Sequence, residues 1–161
     1  MMQRERQILS IILLNEIAKE SDSFITEVEE IITHYKEPLR YLKKAQIHSL
    51  INISQNTQSI EDIKDYIKHQ RSRHKETWGK RNDNNKNFGK ALEEKIGAVV
   101  SLAQGIFDRS FEKMQNILKE QGKTVEAFDK QTQSDFLQHI QVTLLRKFIQ
   151  HLSAYYEVIG D

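Results

Sequence analysis

The chain contains no cysteine, a single proline (Pro38) and only six glycines among 161 residues. Without cysteine there are no disulfides and no thiolate metal sites. With so few helix breakers, long stretches run uninterrupted, and no segment shows the period-two alternation of a half-buried strand. No tandem repeat is present. Long apolar runs are missing too. The most apolar stretch, Ile8 to Leu14, is about a third of the roughly 20 residues a bilayer requires. Arg4 and Arg6 precede it as in a signal peptide, but Asn15, Glu16, Lys19 and Glu20 follow with no small-x-small cleavage site. A core helix in a cytoplasmic protein with no membrane partner is the expectation.

Sites for bound groups are equally sparse. There is no Gly-x-x-x-x-Gly-Lys loop, and Gly79 and Gly89 are too isolated to cradle a phosphate. The six histidines are scattered. His69 and His74 are five apart, about 140° round a helix, and so do not converge. No Glu-x-x-His pair of the di-iron type occurs. The expectation is therefore no metal, no cofactor and no catalytic residue.

What the sequence does contain is helical periodicity. The first helix is expected from about Arg4 to Lys19, apolar nearly all round, which implies burial in a bundle or in a subunit contact. Ser21-Asp22-Ser23 breaks it with N-cap chemistry. A second helix places Phe24, Val28, Ile31, Ile32 and Tyr35 on one face. A third is expected from Pro38, in its first turn, to Asn56, burying Leu39, Leu42, Gln46, Leu50 and Ile53. A fourth starts at a Ser59–Asp62 capping box and fades near Lys75. From Phe88 the spacing of Leu92, Ile96, Val99, Ala103, Ile106, Met114 and Ile117 or Leu118 predicts a helix of about 30 residues, bent at Gly97 or Gly105 and capped by Gly122. A short helical turn over 124–130 and a last helix from Ser134 to Ile159 complete the chain. The fold class expected is all-α: one domain over 1–161, an antiparallel bundle of five to six helices, with a flexible loop at about 76–87.

The net charge of +1 conceals a strong asymmetry. Residues 1–35 carry net −4, residues 36–90 net +7, and residues 91–161 net −2. Between Lys64 and Lys90 nine basic residues face three acidic ones. Lys64, Lys68, Arg71 and Lys75 recur at spacings of four, three and four, which forms one stripe on a helix. Arg73, Lys80 and Arg81 extend it, and Arg40, Lys43 and Lys44 lie one helix earlier. Such one-sided charge points to a polyanion, with Lys and Arg neutralising phosphates and Arg71 and Arg73 able to clamp them bidentately. Trp78 either stacks on an unpaired base or folds back as a cap on the core, and the pattern leaves both open. Nothing suggests base-specific reading, so sequence-independent backbone contacts are expected. The competing reading is a solvated lysine-rich helix.

One enzymatic pattern stands apart. Arg146 and His151 have the Arg-x4-His spacing of HEPN-type helical ribonucleases, in which the histidine serves 2′-hydroxyl cleavage and the arginine supports the phosphate, usually across a dimer. The spacing is undemanding, and in this chain it lies deep inside a predicted helix, where a surface Arg and a helix-face His are the simpler reading. A protein-interaction bundle docking through its first helix is the remaining alternative.

The segment Leu39–Lys90, about a third of the chain, resembles the small helical subunit of type III CRISPR–Cas effector complexes. The resemblance rests on Leu39-Arg-Tyr-Leu-Lys-Lys-Ala-Gln-Ile-His-Ser-Leu50, Thr57-x-Ser59-Ile60, Ile63-x-x-Tyr66-Ile67-x-x-Gln70-x-x-Arg73, Trp78 and Phe88-Gly89. It implies a non-catalytic five-helix protein, present in several copies, that contacts guide RNA and target RNA through a basic face. It also implies packing against other effector-complex subunits and self-association within the complex. The matching positions are Lys43, Lys44, Arg71 and Arg73. The chain departs from the pattern in its long apolar first helix and in the Asn-rich run Gly79–Asn87.

Overall fold

The computed structural model describes residues 3–81 and 86–159. Within them the chain forms eight helical segments and no strand beyond one isolated bridge between Arg81 and Asn87. The segments are α1 (Gln3–Ser21), α2 (Phe24–His34), α3 (Lys36–Leu39), α4 (Lys44–Asn56), α5 (Ile60–Arg73), α6 (Phe88–Ser101), α7 (Ala103–Glu120) and α8 (Lys130–Ile159). Taking α3 as a single turn and α6–α7 as one interrupted rod leaves six helices, the all-α bundle that the periodicity implies. No helix among the described residues is long and apolar enough to cross a membrane.

The 30-residue α8 is the axis. Ile140, Leu144, Leu145, Phe148 and Ile149 are fully buried along it, and α1, α2, α4, α6 and α7 all pack against it. α5 lies outside this ring, on α4 and α6. A single apolar core runs through every helix. Phe24, Val28, Ile31 and Ile32 of α2, and Tyr35 just past its end, are buried as their spacing requires. Of the Ile117/Leu118 alternatives, Leu118 is buried and Ile117 exposed. The side chain of Ile159 lies outside the described residues.

Several boundaries differ from expectation, each for a physical reason. The third helix is not continuous from Pro38. It breaks after one turn, Lys43 is extended (φ −80°, ψ 140°), and the Leu42 carbonyl left outside the helix accepts the Tyr156 hydroxyl. The long helix after Phe88 is interrupted at Leu102, not at Gly97 or Gly105. Leu102 keeps helical dihedrals, but its amide reaches back to the Val99 carbonyl at 3.2 Å, a local tightening to the i−3 pattern. Gly122 does cap α7: it sits at φ +76°, with Lys123 N–H on the Leu118 carbonyl and Gly122 N–H on the Lys119 carbonyl, both at 2.9 Å. That is a Schellman motif.

Residues 124–129 form no helical turn. They are held instead by aromatic packing, with Phe128 set between Phe111 (centroids 5.1 Å apart) and Phe136 (5.5 Å). α8 begins a turn before Ser134 because the Asp129 carboxylate accepts the Thr132 amide at 2.7 Å. At the start of α5 the expected Ser59–Asp62 box is replaced. Thr57 Oγ1 accepts the Ser59 amide at 3.0 Å and donates to Asp62 at 2.8 Å. Ser23 precedes α2 as expected, but its hydroxyl turns back to the Glu20 carbonyl at 2.7 Å and does not cap the helix.

Candidate nucleic-acid interface

The α4–α5 pair is a tight antiparallel hairpin, since only residues 57–59 separate the two helices. The end of α5 therefore returns beside the start of α4. Tyr66 makes this explicit by donating its hydroxyl to the Gln46 carbonyl at 3.1 Å. Beyond α5 the chain folds into a compact turn, with Thr77 and Gly79 amides on the His74 carbonyl at 3.2 and 3.0 Å. Gly79 is obligatory here, because a Cβ would fall 2.5 Å from the Arg71 carbonyl oxygen.

That turn drives Trp78 into the core. Its ring is fully buried, set edge-on to Tyr66 and 5.2 Å from the Phe88 centroid. Its Nε1–H donates to Gln46 Oε1 at 3.2 Å, which satisfies the one polar atom an indole brings into a core. The structure thus decides between the two readings of Trp78: it is the pin between α4, α5 and α6 and presents no face to a base. It also bears on the loop expected at about 76–87. Residues 76–81 are fastened through Trp78, and Gly89 N–H closes the far side on the Trp78 carbonyl at 2.8 Å. Asn82 to Asn85 of that loop lie outside the described residues.

The basic stripe is divided in the same way. Arg71 turns inward onto Glu93 of α6 at 3.0 Å, with the carboxylate largely buried, so one nitrogen of its guanidinium serves the α5–α6 contact. Lys64 is half-buried and 3.7 Å from Glu61. Lys75 lies past the end of α5, in the turn, so the four-three-four spacing does not continue to it. Lys68, Arg73, Lys75, Lys80 and Arg81 are exposed, as are Arg40, Lys43 and Lys44. Arg73 is within 3.4 Å of the His69 ring.

These exposed groups come from two separate sequence segments. The hairpin and the Gln46–Trp78 bond bring both segments to one end of the bundle. Lys43 and Lys44 precede Gln46 by only two or three residues, and Arg73, Lys75 and Lys80 surround the turn that Trp78 anchors. The start of α4 carries no acidic residue and no side-chain cap, so the positive end of its dipole adds to the same field. Sequence reasoning missed Glu93, which pairs with Arg71. No local pattern links residues 22 positions apart.

Arg146 and His151 occupy different surroundings within the chain. Arg146 donates from Nε to the Ser54 carbonyl at 2.8 Å and from a terminal nitrogen to the Thr57 carbonyl at 3.1 Å. It closes the C-terminal end of α4, whose last carbonyls have no partner within the helix. His151 lines an apolar depression with Ile25, Val28, Tyr155 and Val158.

Elsewhere Glu16 of α1 is buried beside three cations: Lys113, Arg109 (3.7 Å) and Lys19 (3.7 Å). The Lys113 hydrogen bond holds its carboxyl below the usual range against the opposing effect of burial. Burial raises the Tyr66 and Tyr156 phenols. No family model matches this chain, and comparison with curated proteins and with solved structures gives no match.

Proposed function

We propose that this protein is a non-catalytic RNA-binding bundle that grips the phosphate backbone with the basic end of its α4–α5 hairpin. In this reading it serves as the small subunit of a type III CRISPR–Cas ribonucleoprotein. The observation that carries the reading is that the hairpin and the Gln46–Trp78 bond set Lys43 and Lys44 at the same end as Arg73, Lys75 and Lys80, with Arg40 and Lys68 exposed on the flanking segments. Clustered cations of one sign bind a polyanion by displacing its condensed counterions, which needs no base contact. With Trp78 buried and Arg71 paired to Glu93, the contact is electrostatic and fits RNA by shape and charge, without stacking. Guide and target RNA are the expected ligands, and the remaining effector subunits the expected protein partners.

The test is a titration of the protein into labelled single-stranded and duplex RNA of mixed sequence at several salt concentrations. Binding should weaken steeply with salt, by about 0.7 to 0.9 logarithmic units per tenfold change in salt for each phosphate neutralised. Changing Lys68, Arg73 and Lys75 together to Glu should abolish most of the affinity and flatten the slope by about two units. Helicity should be retained. Unchanged affinity in the triple variant, or no binding at low salt, would overturn the reading. RNA cleavage by the wild type would redirect it to a ribonuclease.

A further inference from the structure

α1 has two apolar faces, and the chain covers only one of them. Leu9, Leu13 and Ile17 are buried against α7 and α8. On the opposite side Ile11 is 69% exposed and Leu14 64% exposed. At about 100° per residue, Gln7, Ile11, Leu14 and Ala18 form one narrow outward stripe. Scattered exposed apolar residues need no explanation. These two are neighbours in one patch, and Ile117 of α7, 40% exposed, continues it across the adjacent groove.

The ends of the stripe indicate what covers it. Arg4 lies on the same outward face near its start and Asp22 just past its end. Arg4 gives one hydrogen bond to Gln121 at 2.9 Å, which leaves the rest of its donor fork available. Asp22 has no side-chain partner among the described residues. Place a second α1 antiparallel on the first, with the two-fold axis between Ile12 and Leu13. Ile11 of each copy then meets Leu14 of the other, Gln7 meets Ala18, and Arg4 falls opposite Ser21, one residue short of the exposed Asp22 and within reach of it along its long side chain, twice by symmetry. A parallel arrangement would set Arg4 on Arg4 and Asp22 on Asp22. The antiparallel one also opposes the helix dipoles favourably. An anionic membrane would leave Asp22 repelled, so the charge pattern favours a second copy of this chain.

We propose that the outward face of α1 forms an isologous, antiparallel dimer contact centred on Ile11 and Leu14 and flanked by two Arg4–Asp22 pairs. This site is independent of the basic end of the hairpin. α1 has 19 residues, so one helix face is a small interface and the dimer is of the weak, reversible class.

Sedimentation velocity of the full chain from about 5 to about 500 μM covers the affinity range expected of such a contact. The wild type should shift towards dimer as concentration rises. The Ile11→Ser, Leu14→Ser variant should remain monomeric with an unchanged circular dichroism spectrum, because neither side chain is in the core. Arg4→Asp should weaken association about five- to tenfold through two lost pairs, and Arg4→Asp combined with Asp22→Arg should restore it. A wild type monomeric throughout overturns the proposal, including one that floats with anionic vesicles and so gives the face to a membrane. A serine variant that still dimerises, or a charge swap that fails to restore association, overturns it too.

Discussion

Trp78 reaches back 32 residues to place its indole N–H 3.2 Å from the Gln46 side-chain oxygen, and that bond ties the basic loop to the start of α4. As the only tryptophan in the chain, it reports directly on this arrangement. Its fluorescence should be blue-shifted and shielded from iodide, and saturating RNA should leave both properties unchanged. A large red shift or new quenching on RNA addition would mean that the ring leaves the core to stack. Trp78→Ala should destabilise by about 3–5 kcal/mol, as expected for the loss of a large buried aromatic. Denaturant unfolding measures this.

Arg71 and Lys68 stand three residues apart on α5 and should behave oppositely. Removing the Arg71 guanidinium leaves the largely buried Glu93 carboxylate without its cation. Arg71→Ala should therefore cost about 1–3 kcal/mol of stability, with little change in the salt dependence of RNA binding. Lys68→Ala should leave stability within about 0.5 kcal/mol and lower the salt slope by about one unit. Parallel melting and binding curves of the two variants separate a cation that holds the fold from one that meets a ligand. Equal losses of RNA affinity at both positions would refute the division.

The difference between these two cations marks where sequence patterns stop. Apolar periodicity located α2 and the core face of α6–α7 because burial against a bundle imposes the same 3.6-residue repeat that the sequence displays. It could not place the break at Lys43, since the donor that satisfies the freed Leu42 carbonyl is Tyr156, 114 residues away. It carried the basic stripe to Lys75 by assuming a helix that the Trp78 turn in fact ends. Asp129 was legible as a cap and overlooked. Glu93 was not legible, because its pairing with Arg71 exists only once α5 and α6 lie side by side.

Arg146 ties α8 to the end of α4 through two backbone carbonyls. Replacing it with Met keeps the aliphatic stem and removes the donors. The substitution should lower stability by about 1–3 kcal/mol and leave RNA binding unchanged. His151→Ala should leave binding unchanged, and labelled RNA should stay intact with it as with the wild type. A ribonuclease activity lost in both variants would reverse this assignment, and incubation of labelled RNA with each purified protein decides it.

Glu16 sets the acid limit of the α1–α7 contact. Its carboxyl is held below its ordinary value first by the hydrogen bond from Lys113 and then by the charges of Lys113, Lys19 and Arg109, with burial opposing. A carboxylate whose folded pKa is depressed binds protons more readily in the unfolded chain. Its contribution is therefore present above the ordinary carboxylate value and is lost as pH falls towards and through the folded one. The urea midpoint should accordingly drop between about pH 5 and pH 3. Glu16→Gln should be less stable at pH 7 and show a shallower drop, so the two curves converge in acid. Curves that remain parallel down to pH 3 would show that Glu16 does not carry the acid sensitivity of the fold.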